Sequence, residues 1–136
     1  MTINLLGLLA AFTAFFSIWF GHVAVRKIES MSLTIWIPAT IFAILGVWCE
    51  WLSLEASSLQ IATVFGILGI TFLFDSFELA RQQRRIIKGH APANPDNPRH
   101  AKILKEYASA TTLDLLKREP MHSYLIVQED SRVMEK

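Results

Sequence analysis

Along the first half of the chain, apolar residues run together instead of alternating with polar ones. Three runs, about 3–25, 33–54 and 58–75, are broken only by isolated polar positions. Each comes close to the roughly 20 apolar residues that a helix needs to cross a bilayer core. Hydrocarbon offers no partner to a free backbone group, so runs of this length predict helices and not strands. Arg26 and Lys27 close the first run, Glu55 to Ser58 separate the second from the third, and Asp75 and Glu78 close the third. Pro38 falls in the first turns of the second helix, where its missing N–H costs little.

After Asp75 the pattern changes. Residues 75–88 contain no Gly or Pro and many helix formers, which predicts that the third helix leaves the bilayer and continues to about 88. Gly89 is the expected C-cap. Pro92, Pro95 and Pro98 then predict an extended, turn-rich segment over 90–100. Ile103, Leu104, Tyr107, Ala108, Thr111 and Leu115 recur at steps of three and four, which predicts a short amphipathic helix over 101–118. Residues 119–136 read as flexible, with Tyr124 to Val127 as a short strand or docking segment. The expected fold is all-α and integral to the membrane: a three-helix transmembrane domain over 1–89 and a cytoplasmic tail over 90–136.

Composition sharpens this division. Residues 1–74 hold two basic residues and three acids, Glu29, Glu50 and Glu55; the other eleven basic residues lie after position 74. A uniformly soluble globule and a disordered chain are both excluded. In a three-span arrangement all thirteen Lys and Arg fall on one side. The positive-inside rule makes that side cytoplasmic and puts the N-terminus outside. The start of the chain lacks a basic n-region, so a signal peptide is not expected. A cytoplasmic membrane is the expected location. The formal net charge of +1 provides no field for nucleic acid, and none is expected as a partner.

Catalytic motifs are missing from the sequence: no glycine-rich phosphate loop, nucleophile elbow or thiolate cluster occurs. Cys49 is the one cysteine, so no internal disulfide can form. His90 and His100 flank the proline segment, and two exposed loop histidines are expected rather than a metal site. No cofactor and no enzymatic activity are expected.

Ionisable residues at membrane depth carry more information, since each must be paired or face a cavity. His22 lies one turn before Arg26 at the inner end of the first span. Asp75 and Glu78 lie one turn apart at the inner end of the third. A cluster of His22, Arg26, Asp75 and Glu78 follows. It would be a proton-relay or headgroup-binding site, or an ion-pair network locking the two helices; the second is favoured because these positions can snorkel to water. Arg81, Arg84, Arg85 and Lys88 can reach anionic lipid headgroups. Glu50 is expected to reach the outer headgroups. Ala39 and Ala43, and Ala62, Gly66 and Gly69, supply small surfaces for helix packing.

The run from Glu78 through Gln82, Arg85, Lys88, Gly89, Pro92 and Asn94 to Pro95 resembles the close of short bacterial membrane proteins catalogued as domain of unknown function 4491. Those proteins also tend to carry a His near the end of the first span, then a Lys and a Glu; His22, Lys27 and Glu29 correspond in kind. The resemblance covers about residues 1–97 and implies the three-span topology but no reaction. Arg26, Arg81 and Arg84 depart from its pattern, and residues 98–136 are an extension beyond it. The function expected is that of a non-enzymatic accessory or scaffold subunit. Its partners would be membrane lipids and either further copies of itself or a larger membrane protein. The alternative is a small homo-oligomeric transport or ion-handling protein that uses the His/Asp/Glu cluster.

Overall fold

A computed structural model describes residues 4–114. These form four helices in the order α1 (Leu5–Met31), α2 (Trp36–Glu55), α3 (Leu59–Ile87) and α4 (Pro98–Glu106). No strand occurs among the described residues. The segment expected at Tyr124 to Val127, and the rest of 119–136, lie outside them.

Three of these helices are long and apolar enough to cross a membrane. At about 1.5 Å per residue, the 20 residues of α2 span about 30 Å, close to the hydrocarbon thickness. The 27 residues of α1 and the 29 of α3 are longer by about 10 Å or more. The first helix therefore does not stop near Val25, as its apolar run suggests, but six residues later. Glu29 lies in this added stretch, and its fold comes from what packs against it. At their starts, the Asn4 side chain accepts from the Gly7 N–H and the Ser58 side chain from the Ile61 N–H, each filling an N-cap role.

Helix α3 packs against both α1 and α2, while α1 and α2 make little contact with each other. The three helices thus form one layer with α3 in the middle. Small residues make both seams close. A Cβ on Gly46 of α2 would stand 2.7 Å from Leu73 Cγ, and one on Gly21 of α1 would run into the Asp75 carboxylate. Hydroxyls tie the seams further: Ser76 donates to the Ala39 carbonyl at 2.8 Å, Ser53 to the Ala62 carbonyl at 2.7 Å, and Ser17 and Thr71 meet at 3.3 Å. Glu50 does not reach outward. Its half-buried carboxylate lies over Gly69 of α3.

Beyond the layer, residues 88–114 fold into a cap on the ends of α1 and α3. Gly89 takes φ +71°, where a Cβ would meet the Ser109 carbonyl, so the chain leaves α3 by a turn that favours glycine. The 90–97 stretch is irregular but ordered by burial: Ala91 and Ala93 join Ile86 and Ile103 in a small core. Helix α4 is shorter than expected and starts earlier, spanning nine residues. Pro98 occupies its first turn, and the Asn97 side chain caps it by accepting from the Arg99 N–H at 2.9 Å. It ends at Glu106 because the following residues are needed elsewhere. Ser109 donates its hydroxyl to the Ile87 carbonyl at 2.6 Å, and the Thr111 carbonyl accepts from the Ala93 N–H at 2.8 Å. These bonds satisfy groups that the end of α3 and the proline segment leave open. The described part of the expected 101–118 helix after Glu106 is therefore non-helical.

Candidate functional site: the basic end of the layer

Every Lys and Arg among the described residues, from Arg26 to Lys105, lies at the end of the layer that carries the cap. Two groups of polar side chains are built there, and they behave differently.

The first is a knot between the cap and α1. Glu29 is 1% exposed and His100 fully buried. Glu29 Oε1 accepts from Arg99 Nη2 at 2.8 Å and from His100 Nε2 at 3.1 Å. The Asn94 N–H donates to His100 Nδ1 at 2.9 Å. A backbone N–H can only donate, so Nδ1 is the acceptor and Nε2 carries the hydrogen that points at Glu29. The 2.9 Å approach of Arg99 Nη2 to His100 Nε2 is then that of two donors sharing one acceptor.

The same residues close the end of α1. A helix leaves its last carbonyls without intrahelical partners. Here the Ser30 carbonyl accepts from the Asn94 and Asn97 amides, and the Ser32 carbonyl from Asn97 at 2.9 Å and Arg99 Nε at 3.2 Å. Arg99 Nη2 also donates to the Glu29 carbonyl. The proline segment thus presents side-chain donors to a helix terminus about 65 residues earlier in sequence.

His100 was expected as an exposed loop histidine and is instead the most buried polar residue of the cap; His90 is exposed. No group of three or more His, Cys, Asp or Glu that could hold a metal occurs among the described residues.

The second group contains the residues that sequence spacing brings together. His22, Arg26 and Glu78 do line one pocket of about 660 Å³, with Gln82, Arg85, His90 and a second carboxylate, Asp114. Asp75 does not join them. It is 3% exposed, packs on Gly21, and borders a neighbouring groove of about 320 Å³ that shares His22. Its Oδ2 has no hydrogen-bond partner among the described residues.

The four residues therefore form no ion-pair network between α1 and α3. Glu78 is bound on its own helix, to Arg85 at 3.2 Å and Arg81 at 3.5 Å. Helix α1 is held to α3 by the Gly21–Asp75 approach and the Ser17–Thr71 contact. Of the four proposed headgroup contacts, Arg81 and Arg85 are thus engaged with Glu78, and Arg84 and Lys88 lie exposed near the end of α3.

Gln82, Gly89, Pro92, Asn94 and Pro95 gather at the junction of α3 and cap. Gln82 is buried in the pocket wall, Pro92 lines the same pocket, and Asn94 holds Ser30. Pro95 is exposed.

Three span-length helices in one layer, with a polar cap tied to one end, define a small all-helical protein of the membrane-span type. The chain belongs to the family described as Domain of unknown function (DUF4491), whose model matches residues 4–97. The matched region ends at Asn97, so Glu29 lies within it and Arg99 and His100 lie just beyond. Neither the curated proteins nor the solved structures contain a match.

Proposed function

We propose that this is a non-enzymatic integral membrane protein that works by association, as an accessory or scaffold subunit in the inner membrane of a bacterium. The observation that carries the reading is the single-layer arrangement. Because α1 and α2 flank α3, the outer faces of the layer have no neighbour among the described residues, and they are rich in large apolar side chains. On α2 alone, Trp36, Ile41, Ile44, Val47, Trp48 and Trp51 are all more than half exposed. A groove of about 430 Å³ runs along α2, lined by Trp36, Ala39, Ala43 and Val47 and by Ser76 of α3. Small residues along such a groove let a neighbouring helix approach closely.

Insertion is supported by the apolar helices, and orientation by the basic residues gathered at one end, which the positive-inside rule places in the cytoplasm with the cap. Of the three buried carboxylates among the described residues, Glu29 and Glu78 are tied to basic partners, as structural groups are, and Asp75 is not. The partner is a larger membrane protein rather than nucleic acid.

Substituting Ala43→Trp fills the groove and tests the reading. On native electrophoresis of gently solubilised membranes, the wild type is expected to migrate well above its monomer, and the variant to return to the monomer position. A wild type that runs as a monomer would count against association.

A second reading has one observation in its favour. The unpartnered carboxylate oxygen of Asp75, within α3 and beside His22, is what an ion-handling protein would place in a span. Three helices in one layer enclose no pore, so that reading requires a homo-oligomer.

A further inference from the structure

Asp75 alone of the three buried carboxylates among the described residues has no basic partner. It is 3% exposed, its Oδ2 has no hydrogen-bond partner, and no ion pair holds it among those residues. It lies about 24 Å along α3 from Leu59, and so within a hydrocarbon core of about 30 Å. Ser76, the next residue, donates to the Ala39 carbonyl, which lies about one turn inside the start of α2. A carboxylate at that depth is costly unless a cation meets it. The seam nonetheless keeps room for it, because position 21 is glycine.

Asp75 borders a groove of about 320 Å³ whose other lining residues are Ile18, His22, Ile70, Thr71 and Phe74. No Lys or Arg lines this groove. His22 is exposed and can turn to water. The larger pocket next to it is balanced, with Arg26 and Arg85 against Glu78 and Asp114. The groove therefore favours a positive occupant. A metal ion would need several oxygen ligands in place of its water. Here there is one carboxylate, and the Thr71 hydroxyl already donates to the Ile67 carbonyl at 2.7 Å. An organic cation needs one counter-charge and apolar contact for the rest of its surface. Ile18, Ile70 and Phe74 are each half exposed or more and offer that contact. The face of the Phe74 ring also attracts a cation. The volume is near the lower end of the usual range for small-molecule sites, about 300–1,000 Å³, and suits one compact molecule.

We propose that this groove binds one compact lipophilic organic cation, its positive centre against the Asp75 carboxylate and its apolar body among Ile18, Ile70 and Phe74. The site goes beyond the associating role, rests on the membrane insertion proposed above, and gives the ion-handling reading a ligand class. Helices α1 and α3 both run towards the cap, so Ile18, Ile70 and Phe74 lie on the side of Asp75 away from it, deeper in the span. The charged part of the ligand thus sits near the polar end and the apolar part towards the middle of the layer.

Equilibrium dialysis of the full chain in detergent, against micelles of the same detergent, tests the site with tetraphenylphosphonium as the probe. Tetraphenylborate has the same four rings and the opposite charge, and tetramethylammonium has the charge without the rings. One tetraphenylphosphonium per chain is expected, with both comparison ions binding at least about tenfold more weakly. Asp75→Asn is expected to weaken binding about tenfold or more, and Ile70→Trp, which fills the groove, about tenfold. Glu55→Gln, exposed at the end of α2 and outside the groove, should leave binding unchanged. In denaturing detergent the Asp75→Asn chain should unfold at a midpoint no lower than that of the wild type, since it loses a buried charge that no partner offsets. Equal binding of either comparison ion, or equal loss in Asp75→Asn and Glu55→Gln, would overturn the site. So would lost binding in Asp75→Asn together with a lower midpoint, which would make Asp75 a structural group. A wild type that binds no tetraphenylphosphonium would overturn the site and leave the associating role standing, because that role is read from the mass of the membrane complex. Release of the wild type from membranes by an alkaline wash would overturn insertion itself, and that result is read separately from the dialysis.

Discussion

Glu29→Ala is expected to detach the cap from α1 while leaving the three long helices in place. The variant leaves the Arg99 guanidinium, whose side chain is 13% exposed, without an anion. Arg99 Nη1 has no hydrogen-bond partner among the described residues even with Glu29 present. Removing one member of a buried charged pair costs about 3–5 kcal/mol, because the other charge stays buried. The Glu29 and Ser32 carbonyls still accept from Arg99, so the lower end of that range applies.

A cost of about 3 kcal/mol raises the open fraction of the cap by about a hundredfold. Trypsin cleavage after Lys102 and Lys105, both exposed on α4, reads that fraction when opening is fast relative to cutting. The expected result is cleavage about a hundred times faster than in the wild type. Replacing both partners together, as Glu29→Leu with Arg99→Met, should cost far less than Glu29→Ala alone, since no charge is then left buried. Unchanged cleavage in Glu29→Ala would show that the knot does not hold the cap.

The second large effect is expected at the α2/α3 seam. A Cβ at Gly46 would stand 2.7 Å from Leu73 Cγ and 3.0 Å from the Gly69 carbonyl oxygen. The leucine can turn aside, but the carbonyl belongs to the backbone of α3 and can yield only if the helices separate. Gly46→Ala is therefore expected to lower stability by about 1–3 kcal/mol, and Gly46→Leu by more, with α2 displaced from α3. Gly7→Ala is the control. There the nearest atom to a new Cβ is 3.7 Å away on the Asn4 side chain. Replacing a helical glycine without a clash should be neutral or stabilising by up to about 1 kcal/mol. Unfolding in a titration with a denaturing detergent ranks the three. Equal midpoints for Gly46→Leu and the wild type would contradict the close seam.

The sequence made the spans legible because hydrocarbon imposes a length and a composition that no other setting demands. The apolar runs mark α2 and the start of α3 to within a few residues. It was less informative wherever an element ends by docking on another. Arg26 and Lys27 look like the stop of α1, yet both are good helix formers, and the helix continues until Asn94, Asn97 and Arg99 take over its last carbonyls. Those donors lie more than 60 residues away, and no local spacing links them.

His100 was misread for the same reason. Beside three prolines a histidine looks exposed, and only the fold brings Glu29 over it. Asp75 and Glu78 are one turn apart on the same helix, but Asp75 turns into the seam against Gly21 while Glu78 meets Arg81 and Arg85. A residue's depth could be read from the chain; its partner could not. The resemblance to the family flagged His22, Glu78, Lys88 and the proline segment; of these, the proline segment supplies Asn94 as a donor to α1, while Glu29, only alike in kind to the pattern, is the acceptor in the knot.

The most direct test of the associating role is the mass of the complex that holds this chain when it is taken gently from its own membrane and measured by native mass spectrometry. A stoichiometric complex with a larger membrane protein is the expected result. A homo-oligomer alone would move the reading to ion handling through Asp75 and His22. A lone monomer would contradict both readings.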